Sequence, residues 1–299
     1  MSALDRAALA TLPALPTWLM RRLAARYIAG EELSEAVTTL AELATRGFSG
    51  IIDVLGEDVV GEAASRAVVR QYQAAAEAVA QKKLDTYVSV KPTHLGLRSS
   101  EELCFTLYDE LARHCAGLGL RLRVEMEDHG TTDGTLRVFE RLRARHAHVG
   151  IVLQSRLLRT AEDIRKLAPG PLWVRMVKGI YLEPAHVAHT EPAPIRKAYV
   201  ELSRQLFERG AELSLATHDE QLQAELMALT RARGVPRARY EFQVLLGVRP
   251  ALWEAWRAAG ERVRVYVPYG PEWRAYSTRR LKKNPQIFRH VMKDLLLGR

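Results

Sequence analysis

Eight short runs rich in Val, Ile, Leu and aromatic residues recur along the chain, separated by stretches with helical spacing. The runs are 48–55, 86–92, 120–127, 148–155, 172–179, 213–218, 239–246 and 262–269. Residues 57–83, 99–116, 189–209 and 220–233 read as helices. The second of these opens on Ser99, Ser100, Glu101 and Glu102, an N-cap followed by acidic first-turn residues. Regular alternation of strand and helix implies a parallel sheet covered by helices. Eight units close it into a barrel, and 299 residues suffice, because such barrels need roughly 250. An open doubly wound sheet is the alternative, but no Gly-x-Gly-x-x-Gly follows any strand. The expected fold is therefore α/β, a (β/α)8 TIM-type barrel in a single domain. Residues 1–47 supply extra helices packed on it, and residues 48–299 form the barrel.

Several function classes lack support. The net charge of +9 comes from arginines spread along the chain, without a basic tail or a nucleic-acid-binding motif, and reads as a solvated basic surface. Cys104 and Cys115 share one helical stretch and read as buried, reduced thiols of a cytosolic protein. No apolar run reaches the roughly 18 residues of a membrane span. Asp5, Pro13 and Pro16 interrupt what would otherwise be a signal peptide. Leu15, Leu19, Leu23 and Tyr27 share a helical face beside Arg21, Arg22 and Arg26. That face suits packing on the domain, with an anionic membrane surface as the alternative. No metal set stands out, and neither a nucleophile elbow nor a phosphate-cradling loop is present.

Active sites of such barrels lie at the C-terminal ends of the strands. There the chain carries Asp53 and Glu57, Lys91, then Glu125, Glu127 and Asp128, Gln154, Arg175 and Lys178, Thr217 and His218, Glu241 and Gln243, and Tyr266. Polar groups ending so many apolar strands together favour a ligand pocket. After the eighth strand, Tyr276, Arg279, Arg280 and Lys283 stand at i, i+3, i+4 and i+7, one helical face. Paired guanidinium groups at a barrel mouth suit a carboxylate or phosphate.

Strand by strand, these motifs resemble the proline dehydrogenase family. The matching segments are Asp-Val-Leu-Gly-Glu (53–57), Val-Ser-Val-Lys (88–91), Met-Glu-Asp-His (126–129) and Ile-Val-Leu-Gln (151–154). They continue with Val-Arg-Met-Val-Lys-Gly-Ile-Tyr-Leu-Glu-Pro (174–184), Ala-Thr-His-Asp (216–219), Glu-Phe-Gln-Val-Leu-Leu-Gly (241–247), Val-Arg-Val-Tyr-Val-Pro-Tyr-Gly (263–270) and Tyr-Ser-Thr-Arg-Arg-Leu (276–281). The resemblance spans nearly the whole chain and is to the monofunctional bacterial form. It implies non-covalent FAD and oxidation of proline by hydride transfer. Glu125 and Arg175 would be catalytic, with Arg175 over the flavin. Lys91, Arg279 and Arg280 would clamp the substrate carboxylate, and Tyr181 and Tyr266 would wall its ring. Met126, Gln154, Lys178, Gly179, Ile180, Thr217 and His218 would contact FAD, and Glu57 would gate the site.

The resemblance also implies a quinone or other electron acceptor and a cytoplasmic protein with peripheral contact at the inner membrane. Hydroxyproline or another cyclic imino acid is the alternative substrate, and a flavin-binding relative without turnover the alternative class. Three positions depart from the family pattern: Glu125 replaces an aspartate, Lys283 replaces a glutamate, and Ser155-Arg156 replaces Ala-Tyr.

Overall fold

The computed structural model describes residues 20, 21, 24, 26–274 and 276–278. Helix α1 (Leu33–Thr45) precedes the sheet, and strands and helices then alternate. They run β1 (Ser49–Val54), α2 (Glu62–Gln81), β2 (Thr86–Val90), α3 (Glu101–Gly117), β3 (Leu122–Val124) and α4 (Thr132–Arg143). The order continues β4 (Val149–Gln154), α5 (Thr160–Lys166), β5 (Trp173–Val177), α6 (Pro192–Glu208) and β6 (Glu212–Ala216). It ends α7 (Glu220–Ala232), β7 (Tyr240–Leu245), α8 (Pro250–Ala258) and β8 (Val263–Tyr269). Neighbouring strands are parallel throughout, and β8 closes on β1 from Ser49↔Arg264 to Val54↔Tyr269. The expected barrel is therefore present. The third strand is shorter than its run of 120–127. Glu125 still donates its amide to Val90 O at 2.9 Å, after which the chain leaves the ladder for the barrel mouth.

Strand alternation sorts the side chains into two environments. Outward residues such as Ile52, Val54, Val88, Val90, Leu122, Val124, Met176, Leu213, Phe242 and Val265 join helix residues in the main core. In α1, Ala36, Leu40 and Leu43 are buried in that core, so this part of the expected N-terminal layer packs on the barrel. Ser100 accepts from Leu103 N at 3.1 Å and caps α3 above Glu101 and Glu102, as its sequence suggests. Cys104 and Cys115 are buried and unpaired on the same helix. Residues 1–19 and 279–299 lie outside the described residues, as do Arg22 and Leu23, so Leu15, Leu19, Arg22 and Leu23 of the amphipathic N-terminal face and Arg279, Arg280 and Lys283 do too, whereas Tyr27 of that face is buried.

Inward residues fill the bore, which is only partly apolar. Ile51, Tyr87, Trp173 and Tyr266 form a small cluster there. Gly150 leaves room for the indole: a Cβ at that position would lie 2.2 Å from the Trp173 ring. Around the cluster the bore is charged. Arg123, fully buried, lies 3.4 Å over the Trp173 ring and donates to Ile151 O at 3.0 Å, Trp173 O at 3.2 Å and Ser214 Oγ at 3.1 Å. Desolvation lowers its pKa to about 10. Arg264 Nε meets both oxygens of Glu241 at 3.0 Å, and its other nitrogens reach Gly50 O and Asp85.

Breaking a buried pair is costly because the charge left behind has little water to solvate it. Glu241→Ala would leave Arg264 with Asp85 as its acidic partner, and is expected to reduce the unfolding free energy by about 3 kcal/mol. Urea unfolding measures this, and a loss under about 1 kcal/mol would show that Asp85 or water compensates Arg264.

Candidate active site

Period-2 alternation places Tyr87, Ser89 and Lys91 on the inner face of β2, and Arg123 and Glu125 on that of β3. These two rows frame Arg175. Its Nε donates to Gln243 Oε1 at 2.7 Å, and one terminal nitrogen donates to Tyr87 Oη at 2.9 Å and Ser89 Oγ at 3.3 Å. The other terminal nitrogen pairs with Glu125 Oε1, which also accepts from Ser89. Gln243 in turn donates to Tyr87 Oη at 2.7 Å and Glu241 Oε1 at 2.6 Å. The guanidinium is thus fixed by four side chains from three strand segments, 5.3 Å from the Tyr266 ring centroid. Burial alone would lower the Arg175 pKa, but Glu125 raises it, so the group stays cationic. Burial would likewise raise Glu125, but the Arg175 charge and the hydrogen bonds from Ser89 and Arg175 bring it below its ordinary value.

Lys91 follows β2, and its Nζ meets Asp53 Oδ2 at 3.3 Å. Asp53 is fully buried, with its other oxygen accepting from Tyr72 Oη at 3.0 Å. Desolvation raises the Asp53 pKa, and Lys91 only partly opposes this. Lys91 is also desolvated, yet Asp53, Glu125 and Glu127 raise it overall, so it remains an ammonium. With one of three donors directed at Asp53, it can also serve an anionic ligand.

Gln154 ends β4 and donates to Glu127 O at 2.5 Å. Its Oε1 is buried without a protein partner, an acceptor suited to an N–H donor of a bound molecule. Gly179 lies alongside at φ +97, and a Cβ there would stand 2.5 Å from that oxygen, so glycine keeps the cradle open. Past β5, Lys178 Nζ donates to Asp219 Oδ2 at 2.5 Å. Asp219 also caps α7 by accepting from Leu222 N at 3.1 Å, tying this ammonium to the helix start. Thr217 Oγ1 accepts from Asp219 N at 3.1 Å, and His218 Nε2 accepts from Leu245 N at 2.9 Å, placing the imidazole proton on Nδ1.

The remaining expected residues surround the mouth at different depths. Met126 is buried, Tyr181 half-buried, and Ile180 exposed on the loop after β5. Arg156 donates to Tyr181 O at 2.5 Å, giving one departure from the family pattern a local role. Glu57 is partly buried on the loop after β1. Tyr87 and Thr93 lie outside the motifs quoted from the sequence, and Ser89, Asp219 and Arg264 lie inside them without an expected role. The spacing Tyr87-x-Ser89-x-Lys91 was the available signal for two of them. Among the described residues no His, Cys, Asp and Glu cluster could hold a metal, and no helix is long and apolar enough to cross a membrane.

The chain is similar to known proteins. The family described as proline dehydrogenase matches residues 36–291. Proline dehydrogenase of Deinococcus radiodurans is 34% identical over 284 residues, covering 93% of this chain and 92% of that protein. Proline dehydrogenase 1 of Bacillus subtilis (strain 168) is 32% identical over 273 residues, covering 91% and 90%. Among solved structures, proline utilization A from Bdellovibrio bacteriovorus inactivated by N-propargylglycine superposes with a TM-score of 0.80. It is 23% identical over 87% of this chain and 32% of that one, a likeness of fold.

Glu127 is a second carboxylate, besides Asp53, that burial makes less acidic. It is 3% exposed, and burial raises its pKa from 4.5 to about 7 despite two hydrogen bonds from Thr93. A raised carboxylate contributes stability below its unfolded pKa, and that contribution is lost as pH rises through the folded value. Wild-type stability should therefore fall by on the order of 3 kcal/mol between about pH 4.5 and 7 through this group. Glu127→Gln should remove that part of the slope in denaturant unfolding at a series of pH values. An unchanged slope would mean that Glu127 is solvated.

Proposed function

The chain belongs to the proline dehydrogenase family, and from that premise we propose that it oxidises proline to 1-pyrroline-5-carboxylate, the first step of proline catabolism. The observation that carries this reading is the immobilised Arg175 beside a buried, unpartnered Gln154 acceptor, beneath a mouth that also presents Lys91. These groups fit a flavin, and FAD is the form we propose. Gln154 Oε1 suits a ring N–H, the open backbone at Gly179 admits close approach, and Lys178, Thr217 and His218 bring polar groups to the same side. Bound there, FAD supplies the two-electron oxidation that removes hydride from the carbon beside the proline nitrogen.

The protein's own groups then have separable tasks. Arg175 holds a fixed positive charge where negative charge develops, with no reorganisation needed during reaction. Lys91, with Arg279 and Arg280 from the sequence that follows β8, binds the substrate carboxylate. Tyr266 and Tyr181 wall the ring, and Glu57 gates entry. Such a clamp converts binding energy into orientation. Glu125, committed to Arg175 and Ser89 and held ionised, anchors the arginine and is a poor acceptor for the amine proton. Met126 and Ile180 complete the cofactor walls. Electrons leave to a quinone or other acceptor, with the protein in the cytoplasm and in peripheral contact with the inner membrane.

The purified protein should be yellow, should release FAD on heating, and should reduce an artificial acceptor only when proline is supplied. Yellow protein that turns over hydroxyproline in preference would shift the substrate. Flavin without turnover would make the chain a binding relative. Well-folded, colourless protein that takes up no added FAD would end the flavin reading.

Arginines of the two groups should respond differently. Arg279→Met or Arg280→Met should raise the Michaelis constant for proline and lower kcat/KM about ten- to a hundredfold, with flavin content little changed. Arg175→Met should depress turnover and lower the flavin reduction potential by some tens of millivolts, about 30 mV for each 1.4 kcal/mol of lost stabilisation. An unchanged potential with a large rise in the Michaelis constant would reassign Arg175 to the substrate.

A further inference from the structure

We infer that Glu127 is a positioning residue that, acting through Thr93, ties the loop carrying Glu57 and the turn behind Lys91 to the end of β3. Its Oε2 accepts from Thr93 N at 2.9 Å and its Oε1 from Thr93 Oγ1 at 2.7 Å. Thr93 passes this restraint on: its Oγ1 accepts from Asp58 N and its carbonyl from Val59 N, each at 3.0 Å. A second tie runs parallel. Arg98 donates to Asp58 at 2.6 Å and to Asp128, the residue after Glu127. Asp58 itself sits at φ +55, a backbone geometry that surrounding contacts must impose on a non-glycine residue. The loop beside Glu57 is therefore held at two points, both leading to residues 127 and 128. Lys91 lies immediately before the turn that Thr93 belongs to.

The side chain does this at a cost to the fold, since its charge is buried. Lys91 is the cation acting on it, opposed by Glu57 from the loop after β1. Glu125 from the same strand end shares Lys91 with it, and Cys104 and Tyr108 from α3 and Tyr181 from the loop after β5 also feel its charge. A neutral Gln or Glu would fill the same space, but a carboxylate accepts both Thr93 bonds at greater strength. The tie should consequently tighten above neutrality and loosen as acid protonates Glu127. The loop order would then follow pH independently of the proline amine.

This inference rests on reading the barrel mouth as the proline site, but its test does not. Amide hydrogen exchange at Thr93, Asp58 and Val59 is measured on the full chain as purified, corrected for intrinsic rates, at about pH 8 and about pH 6. In Glu127→Gln, the Thr93 and Asp58 amides should exchange about five- to tenfold faster than in wild type at the higher pH, and the two proteins should converge at the lower. Equal protection at the higher pH, or the same gap at both, would overturn the inference, the latter because an uncharged structural role has no pH dependence. Thr93→Val provides a second arm. It should free the Asp58 amide at both pH values while the Thr93 amide stays protected. Should Glu127→Gln fail to fold, wild-type protection at Asp58 must fall toward pH 6 and that pH dependence must vanish in Thr93→Val. A flat wild type overturns the inference. Flavin absorbance and proline turnover are recorded on the same samples, so a wild type lacking both refutes the proposed function without altering the exchange result.

Discussion

Arg175 can stand charged inside the barrel only because side chains from four other positions meet its three nitrogens: Gln243, Tyr87, Ser89 and Glu125. Much else in the bore follows from that requirement. Gln243 must itself be held, and it is, by Tyr87 and Glu241. Glu241 must be neutralised, and Arg264 does so from the next strand. The network runs from the mouth toward the opposite end, where Arg123 closes it against Trp173 and three polar oxygens. Side chains in such a network have few alternative arrangements, because each rotation would leave a buried group unsatisfied. A charge held this way meets developing negative charge without rearranging, which is the useful property in an oxidation that delivers electrons nearby.

Glu125 shows how one methylene enters this balance. The family pattern has an aspartate there, and the longer chain could either have displaced its partner or reached a different one. It reaches Arg175 and Ser89 together, and its carboxylate stays ionised. Arg156, at another departure, takes a backbone acceptor, Tyr181 O, and so braces the loop that carries one of the proposed ring walls. Both departures are absorbed as contacts within the site.

The barrel was legible because outward-facing positions repeat Val, Ile and Leu with the period of a strand, and because a helix start such as Ser100 carries a side-chain cap. Polar strand ends marked the mouth, where Lys91, Gln154 and Arg175 do lie. The network behind them was not legible. Tyr87 and Gln243 are 156 residues apart and Arg175 and Tyr87 are 88 apart, and nothing local in the chain reports such pairings. Lone polar residues within apolar strands, such as Ser89, Arg123 and Arg264, give a weaker signal than strand-end motifs because one inward side chain looks like an irregularity in the alternation. Residues with a cofactor role by resemblance also turned out to have structural tasks: His218 receives the Leu245 amide, and Thr217 that of Asp219.

The acids of the barrel can be weighed against the cations that the sequence carries after β8. The sequence after β8 adds Arg279, Arg280 and Lys283, with a lysine at the position where the family pattern has a glutamate. Glu125 is a candidate to offset that excess, but its carboxylate is already taken up by Arg175 and Ser89. Asp53 is fully buried between Tyr72 and Lys91. Glu127 is enclosed by Thr93, and burial makes it less acidic than an ordinary carboxylate. Each of these acids is committed to a partner inside the barrel, so their carboxylates serve to hold Arg175, Lys91 and Thr93 in place.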